Sequence, residues 1–378
     1  MTSEHTSSRV DEPSDAELTA PRPRSVGRRI LSGLLTYGVV VFAFWYLANH
    51  TSADWTPALS LITPTMVVVS VIVGLVVLAT HWPPTAIALP GLRMRESAVT
   101  NTASAALTNT VPEGGAVGTG LNYAMMRSWG FGLGDITSEV LVTGTWSQLM
   151  KYLLLALGLT AVSLQGWGPS VTPWAALVLL VLVVLALLVL GAILHSQQFA
   201  ERLGRWIDAL VSSARRHVAR VPEPRFTESV PTFRTVMVGL LRDCWIRLTV
   251  AELVTQLAAV LVLGIACRMQ GLTESTVSWA VILTAWGLVT FASLLVPTPG
   301  GMGVAEVVLV GVLGYGLAQS EQPAVLAAVL LYRIATFLVP IPVGFGTYVY
   351  WRKSTAWRRP PGTRGPMALS AAGAASQE

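Results

Sequence analysis

Four charged side chains sit inside stretches that are otherwise apolar: Lys151, Glu252, Glu306 and Arg333. Arg333 belongs to "LLYRIATFLVPIPVG" (Leu330–Gly344), and counted from Pro323 it lies about ten residues, or roughly 15 Å, along its helix. An arginine that deep in hydrocarbon costs at least ~2.5–3.5 kcal/mol, so it must face protein or water and find a partner. Its planar guanidinium suits two-point contact with a phosphate. A buried ion pair with Glu306 that fixes helix packing is the structural alternative. Tyr332 and Thr336 stand one turn apart, and Arg333, Thr336 and Pro340 share one helical face. Lys151 follows Ser147 and Gln148 by one turn, and Glu252 has Gln256 one turn later. The expectation is a polar cavity within the membrane, lined by these residues.

Two further stretches bear on that cavity. "VPEGGAVG" (Val111–Gly118) and "VPTPGGMGVAE" (Val296–Glu306) share a Val-Pro, a glycine pair, a third glycine and an acid. One lies in each half of the chain, and paired Pro/Gly interruptions of apolar segments point to a transporter-type site. Broken helices expose backbone polar groups, tolerated at membrane depth only against protein or a water-filled cavity. Half-helix N-termini at Gly114–Gly115 and at Gly300–Gly301, with Gly303, are expected to offer N–H donors to phosphate. Glu306 and Glu113 also stand beside helix starts, where the macrodipole alone favours a carboxylate.

The signals for an enzyme are thinner. Asp135 and Glu139 in "GDITSE" are one turn apart and could hold Mg²⁺ on a helix, which keeps a metal-dependent lipid-modifying enzyme as an alternative. A non-transporting scaffold is a second. No nucleotide-binding loop of the Walker type occurs, the five histidines lie in tails or at span ends, and no cofactor is expected. Cys244 and Cys267 lie near opposite ends of one predicted helix, too far apart for a disulfide.

The elements that must carry these residues follow from composition. Of 378 residues, 53% are hydrophobic and 12% charged, about half the charge of a soluble domain, and mean hydropathy is +0.60. "WAALVLLVLVVLALLVLGAIL" (Trp174–Leu194) is apolar on every face and about the ~20 residues a membrane-crossing helix needs. Spans are predicted over Ile30–Asn49, Leu61–Thr80, Ile136–Val162, Trp174–Leu194, Asp243–Ala266, Trp279–Val296 and Ala324–Tyr350. Weaker segments are Ser97–Arg127 and Gly303–Ala318.

The first of these reads as a hairpin entering from the cytoplasm with "PEGG" at its tip. The second reads either as a re-entrant partner from outside, which is favoured, or as a full span with "PTPGG" at its cytoplasmic end. The fold class is therefore all-α: a polytopic bundle of about eight spans plus re-entrant broken helices, in two loosely inverted halves.

Basic residues cluster before the first span, after the second, in the central loop and after the last. The positive-inside rule then places both termini and that loop in the cytoplasm of a multi-pass cell-membrane protein. Residues 1–29 and 352–378 read as disordered tails flanking membrane halves at 30–195 and 243–351. The connector 196–242 contains "ERLGRWIDALVSSARRHVARV", an amphipathic basic helix expected on the anionic inner leaflet. Nucleic acid is not an expected partner.

"NTVPEGGAVG", "VPTPGGMGVAE" and "LLYRIATFLVPIPVG" together resemble the flippase-like membrane region of the lysylphosphatidylglycerol synthases, over roughly Ile30–Tyr350. The resemblance implies translocation of a membrane lipid, a phospholipid or a lipid-linked sugar, between leaflets. The best-known members attach a cytoplasmic aminoacyltransferase domain; this chain runs only a short tail past its last span, so that activity is not expected here.

Overall fold

The computed structural model describes residues 55–111, 114–170, 172–215, 226–295 and 298–365. The predicted span Ile30–Asn49, the first tail, Glu113 and part of the basic connector lie outside them. What is described is an all-α polytopic bundle in which five helices are long and apolar enough to cross a membrane.

A short helix α1 (Trp55–Ser60) leads into α2 (Pro64–Thr80). Pro64 suits the first helical position because it has no N–H to leave unpaired, and the Thr63 hydroxyl accepts from the Met66 N–H at 3.4 Å. Trp82-Pro83-Pro84 then restarts the chain as α3 (Trp82–Ala88), with His81 at the joint.

α4 (Met94–Thr110, 17 residues) and α5 (Gly114–Ser128, 15 residues) are packed as a helical pair on either side of "VPEGG". At 1.5 Å per residue they are about 25 and 22 Å long, shorter than a hydrocarbon core of about 30 Å. They pack closely because the crossing lacks side chains. A Cβ on Gly114 would strike the Thr108 backbone, and one on Gly118 would fall 2.7 Å from Thr108 Oγ1. This is the small-residue packing by which membrane helices approach one another.

α6 (Leu133–Leu164), α7 (Thr172–His195), α8 (Gln197–Arg215) and α9 (Phe226–Met269) follow. The predicted span from Asp243 is only the C-terminal part of α9, whose 44 residues run on from the connector and pack against α8. α7 turns apolar side chains outward along its length, with Leu188 65% exposed, as a helix solvated by lipid does.

α10 (Trp279–Leu295) ends before the second glycine motif, where a 3-10 turn at Pro299–Gly301 leads into α11 (Val304–Leu313). α12 (Gln322–Arg333) continues through a π-helical turn, Ile334–Leu338, into α13 (Pro340–Lys353). The largest core cluster lies among α9, α10, α11 and α12. α13 packs on α4, where Gly344 meets the Thr102 backbone and the Ala106 side chain.

The described part of the expected C-terminal tail is ordered. β2 (Arg359–Arg364) pairs in parallel with β1 (Trp129–Phe131). Arg364 explains the capture: it forms an ion pair with buried Glu96 at 3.0 Å, donates to the Gly91 carbonyl and lies 4.7 Å over the Phe131 ring.

Candidate functional site

The π turn puts one surplus residue into the helix directly after Arg333. Such turns recur at functional sites. Pro340 has no N–H to serve the Thr336 carbonyl four residues back. The side-chain amide of Asn109, at the end of α4, donates instead to the Phe337 and Thr336 carbonyls at 3.0 and 3.4 Å. Asn109, two residues before "VPEGG", is thereby tied to the helix of the tyrosine–arginine pair.

Arg333 is held on three sides. Its Nε meets Glu306 Oε1 at 2.6 Å, its Nη1 donates to the Gly300 carbonyl at 3.0 Å, and its guanidinium lies 4.6 Å over the Phe337 ring. Glu306 uses its other oxygen to accept the Gly303 N–H at 2.6 Å. One carboxylate therefore caps α11 and pairs with the arginine, so the two explanations of Glu306 open from sequence hold together. Arg333 Nη2 and Thr298 Oγ1 are buried without a hydrogen-bond partner among the described residues.

The glycines of this loop are needed for their conformation and for space. Gly300, Gly301 and Gly303 have φ of 53°, 68° and 84°, a region L side chains rarely adopt. A Cβ on Gly300 would also fall 2.7 Å from the Phe337 ring and 2.9 Å from Asn109 Oδ1. The two glycine motifs thus approach each other through Asn109. The loop's amides serve the loop: Gly301 N–H goes to Thr298 and Met302 N–H to Pro299. With Gly303 N–H on Glu306, these groups are occupied by the protein itself.

Beside this cluster lies a polar cavity of two lobes. The first, about 330 Å³, is bounded by α2, α4, α6, α9, α10 and the π turn, and Tyr332, Thr336, Asn109 and Thr108 face it. The second, about 250 Å³, is lined by Glu252, Thr85, Thr143, Ser147 and Thr255. His81, Asn101, Lys151 and Gln256 line both. Gln256 donates to Glu252 Oε2 at 3.1 Å and to Ser147 Oγ at 3.2 Å. Lys151 takes no part in the ion pairs Arg268–Glu274, Arg333–Glu306 and Arg364–Glu96.

The structure therefore separates the expected residues into neighbouring groups. Lys151, Tyr332, Thr336 and Glu252 line the cavity; Arg333, Glu306, Gly300, Gly301 and Gly303 form the adjoining loop cluster, outside its lining. Gly114 is spent on packing, and Gly115 faces open space. No group of three or more His, Cys, Asp or Glu side chains that could hold a metal ion occurs among the described residues.

Sequence reasoning passed over His81, Asn101, Thr108 and Asn109. The last three share a face of α4, at i, i+7 and i+8, and that spacing was the available signal. His81 carries no such signal.

On α4's other side, Ala106 and Leu107 of α4, Val117 of α5, and Ile341 and Phe345 of α13 line an apolar groove of about 440 Å³.

The family model described as the lysylphosphatidylglycerol synthase TM region matches residues 29–344. No curated protein and no solved structure matches the chain. The match and the apolar helices together support a multi-pass membrane protein with a lipid-related function.

Proposed function

From the premise that the chain belongs to the lysylphosphatidylglycerol synthase TM-region family, we propose that it moves a phospholipid or lipid-linked headgroup between leaflets. The observation that carries the reading is the two-lobed polar cavity, with Lys151 where its lobes meet, inside a bundle whose outer helices are apolar. A lone ammonium in low dielectric attracts a phosphodiester far more strongly than in water. Asn101, Asn109, Tyr332 and Thr336 supply hydrogen-bonding groups to the rest of the headgroup. The groove between α4, α5 and α13 offers an apolar path to an acyl chain, so one helix divides the polar and apolar parts of the lipid.

In this reading Arg333 and Glu306 hold the broken loop against the cavity, and Arg333 Nη2 is the donor left over for an anionic group. The short α4–α5 hairpin and the α10–α11 pair are re-entrant. The basic connector around α8 rests on the anionic inner leaflet with both termini cytoplasmic, the exposed Trp206 and Arg205 facing that surface.

The test is exchange of headgroup-labelled phosphatidylglycerol in reconstituted vesicles, read with a membrane-impermeant quencher. Wild-type protein should accelerate exchange over empty vesicles. Lys151→Met should remove the acceleration while the helical circular dichroism persists. A wild-type rate no faster than that of empty vesicles would end the proposal.

A further inference from the structure

Behind the second lobe lies a carboxylate that the transport reading does not use. Glu139 on α6 is 3% exposed. Its Oε1 accepts from the Thr143 hydroxyl at 3.2 Å, while Oε2 is buried with no hydrogen-bond partner among the described residues. Thr143 and Thr85 flank this carboxyl, and both line the lobe. Glu252, on α9, lines that lobe and lies near enough for the two carboxylates to repel.

The charges do not balance. Around the second lobe stand two carboxylates, Glu139 and Glu252, one ammonium, Lys151, and the His81 ring. Asp135, one turn earlier on α6, lies against Gly132 and Gly365 instead. The neighbouring Arg333–Glu306 pair is closed on itself. A buried carboxylate without a counter-charge is far more costly than a neutral group in the same place. With both carboxylates and Lys151 ionised and the His81 ring neutral, the site is one positive charge short.

We propose that Glu139 and Glu252 seat one monovalent cation, a proton or a sodium ion, behind the headgroup cavity. A proton needs only one carboxylate oxygen. Sodium needs several hard oxygen donors, and the hydroxyls of Thr85, Thr143 and Ser147 line the lobe alongside the two carboxylates. One consequence rests on the transport reading. A phosphodiester drawn to Lys151 engages the sole ammonium and leaves both carboxylates uncompensated. Headgroup and cation therefore strengthen each other's binding by the same factor, as linkage requires.

The experiment uses the full chain in detergent. Thermal unfolding is followed by tryptophan fluorescence in sodium chloride against choline chloride at equal ionic strength. The C=O stretch of a protonated carboxyl is followed by infrared spectroscopy in sodium-free buffer at neutral pH. If sodium is the cation, sodium alone raises the melting temperature. If a proton is, the carboxyl band is present. Either signal should vanish in Glu139→Gln, and dihexanoyl phosphatidylglycerol should raise cation affinity at least about fivefold.

If the glutamine variant does not fold, Glu139→Asp keeps the charge and should weaken the sodium effect or shift the band. Absence of both signals, or signals unchanged by these substitutions, overturns the seat. A signal assigned to Glu139 in a protein that exchanges no lipid removes the transport reading and leaves the seat standing. Exchange with no cation signal does the reverse.

Discussion

The side-chain amide of Asn109 donates to the Phe337 carbonyl at 3.0 Å, across 228 positions of sequence. This bond joins the end of the first glycine-broken hairpin to the helix interrupted by the π turn. Asn109→Leu removes the donor from the Phe337 and Thr336 carbonyls, the second of which Pro340 leaves unserved. A buried group left unpaired costs about 1–3 kcal/mol, and the melting temperature in detergent should fall accordingly. An unchanged melt would mean that other donors replace the amide.

Arg333→Gln should be more damaging, because it strands the Glu306 carboxylate, whose side chain is 8% exposed. Breaking a buried pair from one side costs about 3–5 kcal/mol, while removing both charges costs much less. Thermal melts of Arg333→Gln, Glu306→Gln and the double variant form the cycle that checks this. The double variant should be more stable than Arg333→Gln alone, and additive losses would contradict the pairing.

Adjacent glycines give a sharper contrast. Gly114→Ala drives a methyl into the Thr108 backbone, whereas Gly115→Ala meets nothing within 4 Å. Overpacking of this kind costs about 1–3 kcal/mol, while Ala for Gly in a helix gains about 0.5–1 kcal/mol. The two variants should therefore move the melting temperature in opposite directions.

Tyr332→Phe keeps the ring and removes the hydroxyl beside Thr336, on the cavity's wall. One hydrogen bond of about 0.5–1.5 kcal/mol corresponds to roughly a 2- to 10-fold slower exchange, measured in the vesicle assay. A larger loss with an unchanged melt would assign the hydroxyl more than one contact.

Arg364→Ala should release β2. Glu96, whose side chain is 3% exposed, would keep the Arg93 amide at 2.9 Å and lose its only ion pair among the described residues. Limited proteolysis between Ser354 and Gly365 should speed up, and a cleavage pattern identical to the wild type would show that the strand holds without the arginine.

Much of the bundle was legible because membrane solvent writes long apolar runs, and the breakers were legible because Pro and Gly are punctuation. The candidate site was half legible. Charges inside apolar runs named Lys151, Glu252, Glu306 and Arg333, but spacing within one helix says nothing about which partner across the bundle each one meets. Glu306 reaches Arg333 only because three positive-φ glycines turn the loop back on itself, which places that pair outside the cavity of Lys151. β2 was illegible for the same reason: its strand is fixed by Glu96, far away in sequence. The span from Asp243 was legible, since Cys244–Met269 is long and apolar enough to cross a membrane; that its helix runs on from the connector over 44 residues was not, because a helix carries charge across an interface without ending.

The wide turn at Ile334–Leu338 gives the last helix an adjustable phase. Absorbing its surplus residue into regular winding would rotate everything downstream by about 100° and advance it by about 1.5 Å. Gly344 would then swing off its seat on Thr102, and Phe345 would sweep toward a different neighbour. The chain thus holds, beside the buried Arg333–Glu306 pair, a built-in screw thread of one step.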